Sequence, residues 1–302
     1  MNAGTLAGND SLRAALRHYD EVRETYLRAL AEHGVEFAPA GSSDAEIAQL
    51  RDELAQRGAE FRNAGASIRM GWISKACIEC TGNKGSETFS TTFRCHRDCY
   101  FCFNHNQADY DKFVREGCPW EEGLARAAET YKNGLAVIGL TGGEPLLSFD
   151  ASIAFLNRAR ELFPEAHKRM YTSGDLLTED MARALRDAGL QEIRFSVKDF
   201  DPEPMQERVL DAMRLAKRYI PDVMVEMPII PGTEARTKEL LASFEEIGIR
   251  GINMLEFCFP FHSWDEFARR GLVVRNPPFD VMYDYGYSGG LPIAGSEQLA
   301  LS

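Results

Sequence analysis

The sequence predicts an α/β protein, a partial (βα)6 barrel with an N-terminal helical extension. Six short β-rich runs alternate with stretches of helical apolar periodicity between residues 88 and 275, and such alternation builds parallel strands joined by right-handed helical crossovers. Six units over about 170 residues fall short of the complete eight-unit barrel, which typically needs about 250. The first strand also runs straight into a cysteine cluster, at the strand-to-helix position where parallel barrels place their active sites.

In chain order, LRAALRHYDEVRETYLRALAEHGV and DAEIAQLRDELAQRGAEF repeat apolar residues every three or four positions and are separated by the breaker PAGSS. Residues 1–70 are therefore predicted to be a helical segment that packs on one end of the main domain. Residues 71–87 form a connector that carries Cys77-x-x-Cys80. The barrel spans residues 88–275, with strands in TFSTTF (88–93), LAVIGLT (135–141), HKRMYTS (167–173), EIRFSV (192–197), DVMVEMPII (222–230) and GINMLEFCF (251–259). Helical periodicity fills the segments between them. Residues 276–302 are rich in Gly, Pro and aromatics without a clear period, which predicts an irregular tail that closes the open side of the barrel.

Composition narrows the function. A 302-residue chain with 44% hydrophobic residues can bury a core. A net charge of −12 offers no basic footprint for nucleic acid or an anionic membrane surface. No apolar run reaches the roughly 18 to 20 residues of a membrane span, and the N-terminus lacks the pattern of a secretory signal, so a cytoplasmic location is expected. Seven cysteines, three of them within eight residues, suit metal ligation better than a disulfide framework.

The cluster reads Cys95-His-Arg-Asp-Cys99-Tyr-Phe-Cys102. Three thiolates at this spacing can each serve one iron of a cubane cluster and leave a fourth iron open. Structural zinc is the alternative, but it usually takes two ligands from each of two knuckles, which Cx3Cx2C matches poorly.

Cx3Cx2C with Phe101 before the last cysteine resembles the signature of the radical S-adenosylmethionine (SAM) superfamily. The resemblance implies a 4Fe-4S cluster on Cys95, Cys99 and Cys102, an electron from a flavodoxin or ferredoxin, and reductive cleavage of SAM to a 5'-deoxyadenosyl radical that abstracts hydrogen from a substrate. Later motifs follow in the family's order. Thr141-Gly142-Gly143-Glu144-Pro145 is similar to the segment that contacts the methionine amino group; paired glycines permit close backbone approach, and a carboxylate can pair with an ammonium. Ser173, in Tyr171-Thr172-Ser173-Gly174, and Ser196 and Lys198, in Phe195-Ser196-Val197-Lys198-Asp199, stand where the family places polar groups for the ribose and the methionine carboxylate. Ile229, in Pro228-Ile229-Ile230-Pro231-Gly232, resembles the segment flanking adenine. Pro260-Phe261-His262 resembles a motif that helps bind SAM, although His262 alone also suits an ordinary loop histidine.

Within the superfamily the chain most resembles the glycyl-radical-enzyme activases, typified by pyruvate formate-lyase activating enzyme, through Cys99-Tyr100-Phe101-Cys102-Phe103-Asn104, Ser196-Val197-Lys198 and Pro260-Phe261-His262. It departs from them at Phe103, where the activases carry histidine, and in its N-terminal extension. The resemblance implies a protein or peptide substrate. A small-metabolite radical enzyme and a non-catalytic iron-sulfur or zinc protein are the alternatives. Cys77, Cys80 and Cys258 suit, by count, a second Fe-S cluster or a zinc ion, with Cys118 a weaker member. No residue is assigned to hydrogen transfer itself.

Overall fold

The computed structural model describes residues 9–81, 85–276 and 290–302. Helix α1 (Asp10–Glu32) starts at Asn9, whose side chain accepts from Leu12 N at 3.0 Å, the usual way of satisfying a free helix N–H. Helix α2 (Asp44–Gln56) and a small hairpin of β1 (Glu60–Arg62) and β2 (Ser67–Arg69) follow, then a short helix α3 (Lys75–Thr81).

The main body alternates as the periodicity predicts. Its strands are β3 (Ser86–Ser90), β4 (Val137–Thr141), β5 (His167–Thr172), β6 (Glu192–Ser196), β7 (Asp222–Ile229) and β8 (Gly251–Glu256). They form one parallel sheet in the order β3-β4-β5-β6-β7-β8. Strands β3 and β8 are its two edges, so the barrel is unclosed. Two helices, α4 (Tyr110–Glu116) and α5 (Trp120–Thr130), fill the first crossover; α6 (Phe149–Leu162), α7 (Glu179–Asp187), α8 (Glu203–Ala216) and α9 (Glu234–Ile247) fill the others. Thr178 caps α7 through Met181 N, and α9 ends at Gly248 in the left-handed conformation. No helix among the described residues is long and apolar enough to cross a membrane.

Strand alternation sorts the two faces of the sheet. Ile138, Leu140, Met170, Ile193, Phe195, Val223, Val225 and Met227 point toward the helices and join Leu124, Phe155, Leu185, Met213 and Phe244 in the main core. Each such side chain contributes roughly 1.5–3 kcal/mol through burial. The alternate positions face the concave side, where Val137 and Met224 are apolar and most of the rest are polar. Arg194 pairs there with Glu192 and Glu226, and Asn253 donates to Glu226 at 2.8 Å.

The chain end departs from expectation. After β8 come β9 (Cys258–Phe259) and α10 (Trp264–Arg269); β10 (Leu291–Pro292) then pairs antiparallel with β9, and α11 (Ser296–Leu301) closes the chain. Residues 290–302 are therefore regular structure, not an irregular tail. Ser296 Oγ accepts from Phe257 N and donates to Ile229 O, both at 2.7 Å. Leu291 and Ile293 are buried with Tyr100, Phe257, Phe259 and Phe267 in a second core. A two-residue strand and a one-turn helix are too short to register as a period. The aromatic part of the tail, which was expected to close the barrel, lies in 277–289, outside the described residues.

Candidate active site

Beyond β3 the chain runs along the end of β4: Gly143 N donates to Thr92 O at 2.8 Å and Glu144 N to Arg94 O at 2.7 Å. A Cβ on Gly142 would strike Thr92 O, and one on Gly143 would strike Arg94 O. The paired glycines do permit a close approach, but the approaching partner is the chain's own cysteine loop.

Cys95, Cys99 and Cys102 follow at the C-terminal mouth of the barrel. Burial pushes the Cys99 thiol up to about 11, against the pull of Lys198 nearby. Burial also raises Cys95 and Cys102, offset at Cys95 by its bond from Arg97 N at 3.4 Å and at Cys102 by Asn104 N–H. Each thiol feels the charge of Lys198, which is 4% exposed and donates to Ser196 O at 3.0 Å. A buried cation beside three thiolates offsets the negative charge that metal loading gathers there. Among the described residues no three Cys, His, Asp or Glu side chains close on a single ion position. Thiolates that each serve a different iron have no need to, so the donor set fits a cubane.

The loop is clamped from several sides by residues to which sequence reasoning gave no role. His96 Nε2 meets Asp175 Oδ2 at 2.8 Å, and Arg97 pairs with Asp201 and lies 3.6 Å from Asp175. Burial pushes Asp175 up, but the bonds from Ser173 and His96 and the charge of Arg97 outweigh it and hold the carboxyl below the usual range. Asn104 donates to Gly142 O, and Asn106 donates to Pro260 O at 2.8 Å. Charged residues between the first two cysteines were the available signal.

The sequence-assigned SAM contacts divide. Glu144 is 1% exposed and accepts from Thr172 Oγ1 (2.6 Å), Ser173 N (2.7 Å), Ser173 Oγ (2.6 Å) and Leu146 N (3.0 Å). With four protein donors on it, its carboxylate ties the end of β4 to the end of β5. Ser173 is half of that tie. Ser196 and Lys198 lie together at the mouth, Lys198 Nζ 3.0 Å from Ser196 O. Ile229 does not line the site: it is fully buried on the helix side of β7, because its parity in the strand is that of Val225 and Met227. Phe101 packs edge-on against Tyr100, Phe200 and Phe257. His262 engages both ring nitrogens, with Cys102 O at 2.7 Å and Ser263 Oγ at 3.0 Å.

Among the described residues Cys77, Cys80 and Cys258, expected to share a second metal, do not converge. Cys77 lies on α3, which meets the concave face from below. There its Sγ accepts from Arg194 Nη2 at 3.3 Å and Asn253 Nδ2 at 3.8 Å. Cys80 is exposed, and Cys258 lies past the other end of β8, donating to Glu256 O at 3.5 Å. From Asn253 to Cys258 the chain climbs roughly 15 Å, which separates Cys258 from Cys77. The spacing resembled a knuckle, but the segment is helical, and Ser74 Oγ anchors its start to Glu192.

A sequence profile of the Radical SAM superfamily matches residues 89–244, more than half of the chain. A candidate glycyl-radical enzyme activating enzyme of Methanocaldococcus jannaschii is 28% identical over 237 residues, covering 76% of this chain and 59% of that protein. The GTP 3',8-cyclase of Aliarcobacter butzleri is 26% identical over 187 residues, covering 58% and 56%. The chain thus spans less than two thirds of either relative. Among solved structures, Streptococcus suis SuiB bound to precursor peptide SuiA aligns with a TM-score of 0.46 at 14% identity, covering 70% of this chain and 51% of that one.

Proposed function

Because the chain belongs to the radical SAM superfamily, whose members use a 4Fe-4S cluster and SAM, we propose that it holds the cluster on Cys95, Cys99 and Cys102 and abstracts hydrogen from a protein or peptide substrate. The observation that carries this reading is the cysteine loop, docked through Gly142 and Gly143 at the mouth of an unclosed barrel beside buried Lys198. The cluster and SAM, when bound, supply the hydrogen-abstracting chemistry.

The protein's own part is positional and electrostatic. His96 and Arg97, tied to Asp175 and Asp201, fix the loop between the first two cysteines, and His262 fixes the third. Lys198 offsets thiolate charge. Helix α3, seated against Arg194 and Glu192, covers the floor of the barrel and limits water entry from below. Among the described residues β3 and β8 do not pair with each other, which suits entry of a polypeptide loop from the side. Similarity to a candidate activating enzyme supports the same substrate class, with a flavodoxin or ferredoxin as electron donor.

The second reading, a small polar metabolite, is favoured by the polar concave face, above all by Arg169. The test is anaerobic. The chain is reconstituted with iron and sulfide and reduced, and 5'-deoxyadenosine is followed with wild type and Cys99→Ala. Product from wild type alone supports the chemistry; none from either overturns it. Stimulation by a protein fraction supports the first substrate reading, and stimulation by a protein-free metabolite pool supports the second.

A further inference from the structure

Arg169 stands on β5 at a concave-facing position, 94% buried by its 6% exposure. Its Nε is buried without a hydrogen-bond partner, and among the described residues no carboxylate pairs with its guanidinium. A buried cation left in this state is costly unless something compensates it.

The nearest candidates within the protein are engaged elsewhere. Glu192, its register neighbour on β6, has Oε1 on Arg194 Nε and Oε2 on Ser74 Oγ and His167 Nε2. Glu226 Oε1 serves Arg194 and Asn253. What Arg169 does have is the face of Tyr171, 5.4 Å from its Cζ, a partial compensation for a desolvated cation.

The surroundings make room for a ligand. Across the ladder from Arg169 is Gly139, where a Cβ would lie 3.3 Å from Arg169 Nε and 3.0 Å from Thr88 Oγ1. A methyl there would crowd Thr88 first and press on the guanidinium as well. Thr88, concave-facing on the edge strand β3, is exposed, so the subsite opens to solvent on that side. Ser90, Thr141 and Ser196 add half-buried hydroxyls on the way up to the cysteine loop.

We infer that Arg169, with Thr88, Gly139 and Tyr171, forms an anion subsite deep in the barrel that recognises a carboxylate or phosphate group of the substrate. The inference rests on the reading that this barrel takes a substrate, and it narrows the class to anionic ones. Ser173, at the strand end beside the cysteine loop, is four residues above Arg169, so the anion sits on the order of 10 Å below the chemistry. The substrate is then elongated, with its reacting carbon about that far from its charged group. A chain with a net charge of −12 does not draw anions by its overall field, so the recognition must be local.

The test is thermal unfolding of the full chain in succinate, in inorganic phosphate, and in sodium chloride at matched ionic strength. Succinate or phosphate should raise Tm above the chloride control by mass action, and Arg169→Met should weaken that binding roughly tenfold or more. A rise with succinate alone points to a carboxylate substrate, and a rise with phosphate alone to a phosphorylated one. Should Arg169→Met fail to fold, Arg169→Lys takes its place, because it keeps the charge and loses the planar fork that binds such anions. Equal stabilisation of wild type and variant overturns the inference, as does a wild type that neither anion stabilises. None of these readouts depends on SAM cleavage, so failure here and failure of the radical chemistry are told apart.

Discussion

His262 Nε2 lies 2.7 Å from the backbone oxygen of Cys102, so the loop after β9 holds the last cysteine of the cluster motif across the barrel mouth. A carbonyl can only accept, so Nε2 carries the proton and donates. His262→Ala should lose about 1 kcal/mol of loop anchoring and lose cluster iron to a chelator several-fold faster than wild type. His262→Gln, which keeps a donor, should recover part of the difference. Equal iron-loss rates in wild type and His262→Ala would remove the anchoring role.

Gly143 tests the docking of the cysteine loop. A Cβ there lands on the backbone of Arg94, and backbone cannot swing aside as a side chain can. Gly143→Ala should therefore cost about 1–3 kcal/mol and yield little bound iron after reconstitution, whereas Gly134→Ala, with nothing near its Cβ position, should load normally despite its strained φ. Full iron loading in Gly143→Ala would contradict the geometry.

What could be read beforehand was local. Strand β6 announces itself because Ile193 and Phe195 alternate with Glu192 and Arg194, and the cysteine motif because its spacing needs no distant partner. What could not be read spans the fold. His96 finds Asp175 79 residues on, and Arg97 finds Asp201 104 residues on, and no periodicity encodes such meetings. Ile229 was misplaced for a subtler reason: alternation defines two faces but not which of them is concave. The four donors on Glu144 are equally illegible, because a lone carboxylate in sequence does not disclose its partners.

The iron count follows from the scattered cysteines. With Cys77 on Arg194 and Asn253 and Cys258 beyond the far end of β8, reconstituted protein should hold about four irons. Cys77→Ser, Cys80→Ser and Cys258→Ser should each leave that number unchanged, while Cys95→Ser should lower it. About eight irons, falling in any of the first three variants, would restore a second cluster.

Glu192 sets an acid limit on the fold. Burial pushes its carboxyl up, but His167, Arg194 and Ser74 outweigh burial and hold it at about 2, against 4.5 when free. A depressed folded value stabilises above the free value and is lost as pH falls through the folded one, contributing about 3 kcal/mol. Urea unfolding of the cluster-free chain should show wild type losing this stability between pH 4.5 and 2. Glu192→Gln should be weaker at neutral pH and lose less across that window. Parallel pH slopes would mean that Glu192 is not the group that matters.

Arg169 makes the opposite prediction from Glu192, because its charge lacks a protein carboxylate. Replacing one partner of a satisfied buried pair costs about 3–5 kcal/mol. Removing a cation whose Nε is buried without a partner, and whose charge among the described residues rests on the ring of Tyr171, takes away a poorly compensated group instead. In buffer without succinate or phosphate, Arg169→Met should therefore unfold at the same temperature as wild type or higher, while Arg194→Met should unfold well below it. A marked loss of stability in Arg169→Met would instead make Arg169 a structural member of the barrel wall.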